Sequence, residues 1–271
     1  MKVIFLDIDG TLVGYDMKIP ESAIKAIQET RKRGNKVYLT TGRSKAEVYE
    51  NLWEIGLDGM IGGNGMYIED NGVVIQDLVM KKEDVIKAVD WMKEHDLGFY
   101  LESKNGLFGS DNLAEKSSLV MYGEDTEEHR KQIDAVFPHM IFGTDFYRDD
   151  IAKISFCLYP DLLDEAKEKF GDILKVSSWS GSGKKQEFGE FAILGIDKVH
   201  AVDTLLEYLK VGKEDTFAFG DAASDKQMVE YCEVGIAMGN AEEGLKEAAD
   251  FVTDTVADDG LWNAFVRYNL V

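Results

Sequence analysis

The stretch that most constrains the fold lies at the start of the chain. Four apolar residues, Val3-Ile4-Phe5-Leu6, run straight into Asp7-Ile8-Asp9-Gly10, and after a loop Glu21 to Arg33 repeats Ala23, Ile24, Ala26 and Ile27 at helical spacing. An unbroken apolar run of this length reads as a strand buried on both faces, and strands alternating with helices build a parallel sheet. The unit recurs. Gly34-Asn35 ends the helix, Lys36-Val37-Tyr38-Leu39-Thr40 reads as the next strand, and Ser44 to Ile55 as a second amphipathic helix capped by Ser44. After Met60-Ile61 and Gly62-Gly63-Asn64-Gly65, the runs Met66 to Ile68 and Val73 to Ile75 flank Asn71-Gly72, a hairpin signal.

From Lys82 to Phe188 the rhythm changes. The pattern predicts helices over 82–93, 125–137 and 162–170 and strands over 98–102, 106–108, 153–159 and 174–177. Alternation returns from Phe191, with helices over 198–209, 225–232 and 242–249 and strands over 216–219, 235–238 and 251–252. The expected fold class is α/β: a Rossmann-like parallel-sheet core of residues 1–81 and 189–271, interrupted by an inserted α+β cap domain, 82–188. A chain of 271 residues has room for both at roughly 150 residues per domain.

Charge narrows the function. Lys and Arg number 30 against 51 Asp and Glu, a formal net charge of -21, so polyanions are repelled and binding to nucleic acid or to an anionic membrane is not expected. Cys157 and Cys232 stand far apart with no CxxC spacing, which argues against a disulfide framework or a structural zinc and for buried small side chains. The first apolar run meets Asp7 too soon for a signal peptide, and no apolar run approaches the ~18 residues of a membrane helix. A cytoplasmic location is the expectation; the sequence says nothing of oligomeric state.

Four places carry chemistry, each where a strand is expected to end, the edge at which open α/β sheets bind ligands. At the first, Asp7 and Asp9 leave the same side of extended chain and Gly10 lets backbone amides approach a ligand. A bare Asp-X-Asp is more often a turn, but its placement after a buried strand favours a site for a hard dication. The second is Thr40-Thr41-Gly42-Arg43, a hydroxyl and glycine amides suited to phosphoryl oxygens. The third is Lys198 at the start of a helix, taken singly a surface lysine. The fourth is Gly220-Asp221-Ala222-Ala223-Ser224-Asp225, whose carboxylates can complete the oxygen shell of Mg²⁺.

Together, the stretches FLDIDGTL, LTTGRS, GIDK and FGDAASDKQM followed by VGIAMGNA resemble the haloacid dehalogenase superfamily of phosphotransferases, in its Cof-type sugar-phosphatase branch with a C2 cap. The resemblance implies a phosphatase in which Asp7 is the nucleophile that becomes an aspartyl-phosphate and Asp9 is the general acid and then base. Ile8, Gly10, Thr41, Gly42 and Lys198 would bind the phosphoryl group. Mg²⁺ would be held by the Asp7 carboxylate, the Asp9 backbone carbonyl and Asp221, with Asp225 steadying the metal or its waters. Arg43, Asn64 and Ser224 are candidates for the pocket rim. The substrate would be a small phosphorylated metabolite, a sugar phosphate first, with the insert closing over the core to exclude water. Ser224 departs from the branch's usual Asn, and a hydroxyl lacks an amide's reach and its paired donor and acceptor.

Rival readings are a phosphomutase sharing the phospho-aspartate, a receiver-like signalling module and a nucleotide-sugar transferase using Asp-X-Asp. Gly181-Ser182-Gly183-Lys184-Lys185 fails as a nucleotide loop, because Ser178 stands where Gly is needed and Lys185 where Ser or Thr is, and it is expected to be a flexible loop. Gly63-Asn64-Gly65 lacks the third glycine of a dinucleotide fingerprint. The four histidines show no metal pairing, and Trp91, Phe99, Tyr100 and Trp179 read as core of the insert.

Overall fold

The computed structural model describes residues 1–14, 17–137, 139–160, 162–180 and 186–271. The stretch Gly181 to Lys185, expected to be a flexible loop, lies outside them. In chain order the elements are β1 Val3–Leu6, α1 Glu21–Lys32, β2 Lys36–Thr40, α2 Glu50–Trp53, β3 Gly59–Gly62, β4 Tyr67–Asp70 and β5 Val73–Asp77. There follow α3 Lys82–Glu94, β6 Phe99–Ser103, β7 Gly106–Gly109, α4 Leu113–Tyr122, α5 Glu127–Val136, β8 Met140–Ile141, β9 Lys153–Cys157, α6 Leu162–Phe170, β10 Lys175–Trp179 and β11 Phe188–Ala192. The last stretch holds α7 Lys198–Leu209, β12 Thr216–Gly220, α8 Lys226–Tyr231, β13 Val234–Ala237, α9 Glu243–Lys246, β14 Phe251–Val252 and α10 Gly260–Arg267.

Two compact units result: Met1–Arg43 with Val48–Asp77 and Ile196–Val271, and Leu78–Gly195 with Ser44–Glu47. The first is built on an eight-stranded sheet in the order β14-β13-β12-β1-β2-β3-β4-β5, parallel from β14 to β3 and closed by the antiparallel β4 and β5. β1 lies inside it, which is why it needs no polar face. Ile4 and Leu6 pack with Ile27, Leu39 and Phe265 on one side, Val3 and Phe5 with Tyr38, Val202 and Leu205 on the other. Leu6 is in register with Leu39 of β2 and Phe219 of β12, so the three strands release their chains side by side at the same edge. Asn71 and Gly72 both take positive φ, 47° and 80°, as a tight β4–β5 hairpin requires.

The second unit carries a six-stranded sheet, β10-β11-β9-β6-β7-β8. One apolar cluster joins Val85, Val89 and Trp91 of α3 and Phe170 of α6 to Phe99, Phe156 and Phe191 of the sheet. Tyr100, Cys157 and Phe188 pack instead with Leu113 and Val120 of α4. The boundaries differ from those expected. β11 is hydrogen-bonded between β10 and β9, which takes residues 189–192, expected in the core, into the second unit; the contact boundary falls after Gly195 and, at the other end, before Leu78. The expected helix over 44–55 is also broken. The Ser44 N–H and hydroxyl both donate to the Glu47 carboxylate, closing a single 3₁₀ turn, and extended Tyr49 separates it from α2. Both cysteines are free and buried, and among the described residues no helix is long and apolar enough to cross a membrane.

Candidate active site

At the edge where β1, β2 and β12 end, the three strands are followed by Asp7, Thr41 and Asp221. Asp7 continues β1, its N–H donating to the Phe219 carbonyl at 3.1 Å, and is buried. Lys198, expected as a surface residue if judged alone, is buried at the first position of α7, whose start is capped by Asp197 accepting from the His200 N–H. Its ammonium donates to Asp7 Oδ1 at 2.9 Å and to Asp225 Oδ1 at 2.5 Å. The other Asp225 oxygen accepts the backbone N–H groups of Asp221 and Ala222, each at 3.2 Å. Asp225 thus holds both the lysine and the turn that carries Asp221.

Carboxylate oxygens of Asp7, Asp221 and Asp225 lie within 4.8 Å of one another. Three carboxylates and one ammonium are buried together, the ammonium touching Asp7 and Asp225, and Asp7 registers the imbalance. Burial and the Asp225 charge push Asp7 well above the ordinary carboxylate range, and Lys198 offsets this only in part. Burial opposes the charge on Lys198 too, but Asp225 and Asp7 outweigh it and raise its pKa. Gly10 completes the cradle. At its φ of +83° a Cβ would stand 2.1 Å from Asp221 Oδ2, so only glycine lets that carboxylate lie against the backbone after Asp9. A hard dication matches this set of oxygens. Asp225, with one oxygen on Lys198 and the other on two amides, fits a supporting place better than a direct ligand.

The remaining candidates fall into three groups. Thr41 is buried and its hydroxyl accepts the Arg43 N–H at 3.1 Å, which leaves the hydroxyl proton to donate elsewhere. Asn64, at φ 55°, donates its N–H to the Thr41 carbonyl at 3.0 Å, and its side-chain amide lies beside Gly42, so both belong to the same loop cluster. The guanidinium of Arg43 grips the Asp9 carboxylate through Nε at 2.8 Å and Nη2 at 2.6 Å. Ile8 is fully buried in the apolar core, so it can offer a ligand only its backbone. Ser224 lies exposed on the turn between β12 and α8 and is not drawn into the cluster. Two residues were not singled out from sequence. Thr11 donates to Asp221 Oδ1 at 3.2 Å, and Asn240 donates to the Gly10 carbonyl at 2.7 Å while accepting the Val256 N–H. Both stand within stretches that carried the resemblance, and Asn240 directly follows the glycine beyond β13, a position that could have marked it.

A parallel-sheet unit with an inserted α+β unit, and a buried carboxylate beside a buried lysine with further acids at the strand ends, are the arrangement that the resemblance implies for a phosphoryl-transfer hydrolase. Residues 4–265 match the family of haloacid dehalogenase-like hydrolases, and the chain belongs to that family as a phosphatase. It is similar to the Bacillus subtilis protein YkrA, named provisionally as a phosphatase, at 32% identity over 100% of this chain and 98% of that one. It is also similar to the B. subtilis 5-amino-6-(5-phospho-D-ribitylamino)uracil phosphatase YcsE, at 27% identity over 100% and 96%. Among solved structures, BT1666, a phosphatase of the superfamily from Bacteroides thetaiotaomicron, superimposes with a TM-score of 0.80 at 27% identity over 100% and 96% of the two chains. The subclass IIB sugar phosphatase BT4131 shares the fold with a TM-score of 0.81 at 23% identity over the whole of both chains.

Proposed function

We propose that the chain is a Mg²⁺-dependent phosphomonoesterase that acts on a small phosphorylated metabolite, a sugar phosphate first, through a phosphorylated Asp7. The observation that carries this reading is the convergence of Asp7, Lys198, Asp221 and Asp225 into one buried cluster with an excess of carboxylate. A nucleophile must be ionised, and burial together with the Asp225 charge works against the ionisation of Asp7. Asp7, the Asp9 carbonyl and Asp221 would hold the metal ion, which supplies positive charge for the carboxylate and for a phosphoryl oxygen.

The chain's own groups divide the chemistry. Lys198 holds Asp7 in place and brings positive charge to the phosphoryl group, and the Thr41 hydroxyl with the Gly42 amide receives phosphoryl oxygens. An Asp7 oxygen forms a bond to phosphorus as the ester P–O bond breaks, and the leaving oxygen takes a proton from Asp9. Asp9 then takes a proton from a water molecule, whose oxygen attacks phosphorus and returns the Asp7 carboxylate with release of phosphate. The names of YcsE and BT4131 support phosphorylated sugar-like substrates for this chain.

The test is phosphate release from a panel of sugar phosphates, nucleotides and pyridoxal phosphate, with and without chelator, alongside Asp7→Asn. Turnover should vanish with chelator, return with Mg²⁺ and fall about 10³-fold or more in the variant. Wild-type turnover by Asp7→Asn would overturn the proposal.

A further inference from the structure

Arg43 is doubly anchored through its backbone, its N–H on the Thr41 hydroxyl and its carbonyl accepting the Gly63 N–H at 2.7 Å. Its guanidinium takes both oxygens of Asp9. Unlike Lys198, which is buried between two carboxylates, this pair faces solvent: the Arg43 side chain is 21% exposed and that of Asp9 51%. A substrate entering from solvent therefore meets it.

Taking Asp9, as above, to be the residue that meets the leaving oxygen, the two statements conflict. Held by the fork through both oxygens, Asp9 cannot swing one of them round to a leaving oxygen while keeping both of these bonds. At least one must be released when substrate binds, and the guanidinium then loses charge-assisted hydrogen bonds that a neutral hydroxyl replaces poorly. A planar carboxylate or a phosphate presents two oxygens at the spacing of the fork and replaces them well. The group that Asp9 serves is the leaving alkoxide, so the replacement anion has to come from the leaving-group side of the substrate.

We propose that Arg43 selects phosphomonoesters whose leaving group bears a carboxylate or a second phosphate, exchanging Asp9 for that oxyanion as substrate binds. Arg43 is then a specificity residue and a latch on Asp9: in the absence of substrate it holds the side chain, and an oxyanion of the right placement frees it. A neutral leaving group frees it less completely.

The experiment compares matched pairs of substrates on the intact protein: ethyl phosphate with 2-phosphoglycolate, and propane-1,3-diol monophosphate with its bisphosphate. In wild type the anionic member of at least one pair should have the higher kcat/KM by about tenfold or more, the ratio of one charge-assisted contact. The first pair reports a carboxylate partner and the second a phosphate partner. Arg43→Gln should abolish that preference chiefly by raising KM for the anionic member, and Arg43→Lys, which keeps charge without the fork, should restore part of it. Equal kcat/KM within both pairs in wild type overturns the proposal. So does an equal loss on both members in Arg43→Gln, which would make the arginine a general support. If neither member of either pair is turned over, and Asp7→Asn equals wild type on the wider panel, the phosphatase reading fails and this proposal with it. Turnover lost in Asp7→Asn with no preference in wild type fails this proposal alone.

Discussion

Asp7 is held against its own charge, and that has a cost that can be measured apart from catalysis. Its carboxyl, pushed up by burial and by Asp225, gives up its proton in the folded chain less readily than in the unfolded one. A group raised in this way leaves the fold unpenalised below the ordinary carboxylate range and weakens it as the pH rises through its folded pKa. Asp7→Asn, melted in chelator at pH 7, should therefore unfold about 2–5 °C above wild type, and the gap should close as the pH is lowered towards 4. A variant that melts below wild type at neutral pH would show that the pairing with Lys198 outweighs burial.

At the scale of elements, the second unit has its own buried charge. Lys153 of β9 lies 3.0 Å from Glu102 of β6 and 3.3 Å from Glu190 of β11, with all three side chains nearly inaccessible. Burial and the Glu47 carboxylate push Glu102 well up, and Lys153 pulls it back only in part. Lys153→Met removes the cation these carboxylates share and should cost about 3–5 kcal/mol in urea unfolding of that unit, because the remaining charges stay buried. Adding Glu102→Gln should recover part of the loss, and a single variant as stable as wild type would show that the carboxyls are already neutral.

The same elements show what could be read from sequence. Strands β1, β2, β12 and β13 announce themselves as apolar runs ended by Asp, Thr-Gly or Gly, so the edge of the sheet and Asp7, Asp9, Thr41 and Asp221 were legible together. Lys198 was legible only through the resemblance, since its burial depends on Asp7, 191 residues earlier in the chain. Helix α4 went unread because the face it buries includes Ser117 and Ser118, which break the apolar stripe, and β8 is a two-residue edge strand. Helix α10, absent from the expected elements, does carry the signal, with Leu261, Ala264 and Phe265 at helical spacing. Thr11 and Asn240 stand in stretches that were legible, but their partners, the Asp221 carboxylate and the Gly10 carbonyl, lie 210 and 230 residues away in the chain.

The whole molecule carries a formal charge of -21, so a phosphate dianion approaches against a repulsive field that the local cations must overcome. Raising the ionic strength from about 0.01 M to about 0.15 M shortens the screening length from roughly 30 Å to roughly 8 Å. For dianionic substrates kcat/KM should rise over that range, the reverse of the salt response of an enzyme that steers its substrate electrostatically. A fall would place a cationic funnel where the composition shows none.

Strand β1 also sets a timetable. It pairs with β2 on one side, available almost at once, and with β12 on the other, which leaves the ribosome only after residues 78–195 have been made. At about 5–20 residues per second the nascent β1 waits on the order of ten seconds with one flank unpaired. The contiguous stretch in between can settle first, and the half-finished sheet is the species most exposed to chaperones and to mispairing during synthesis.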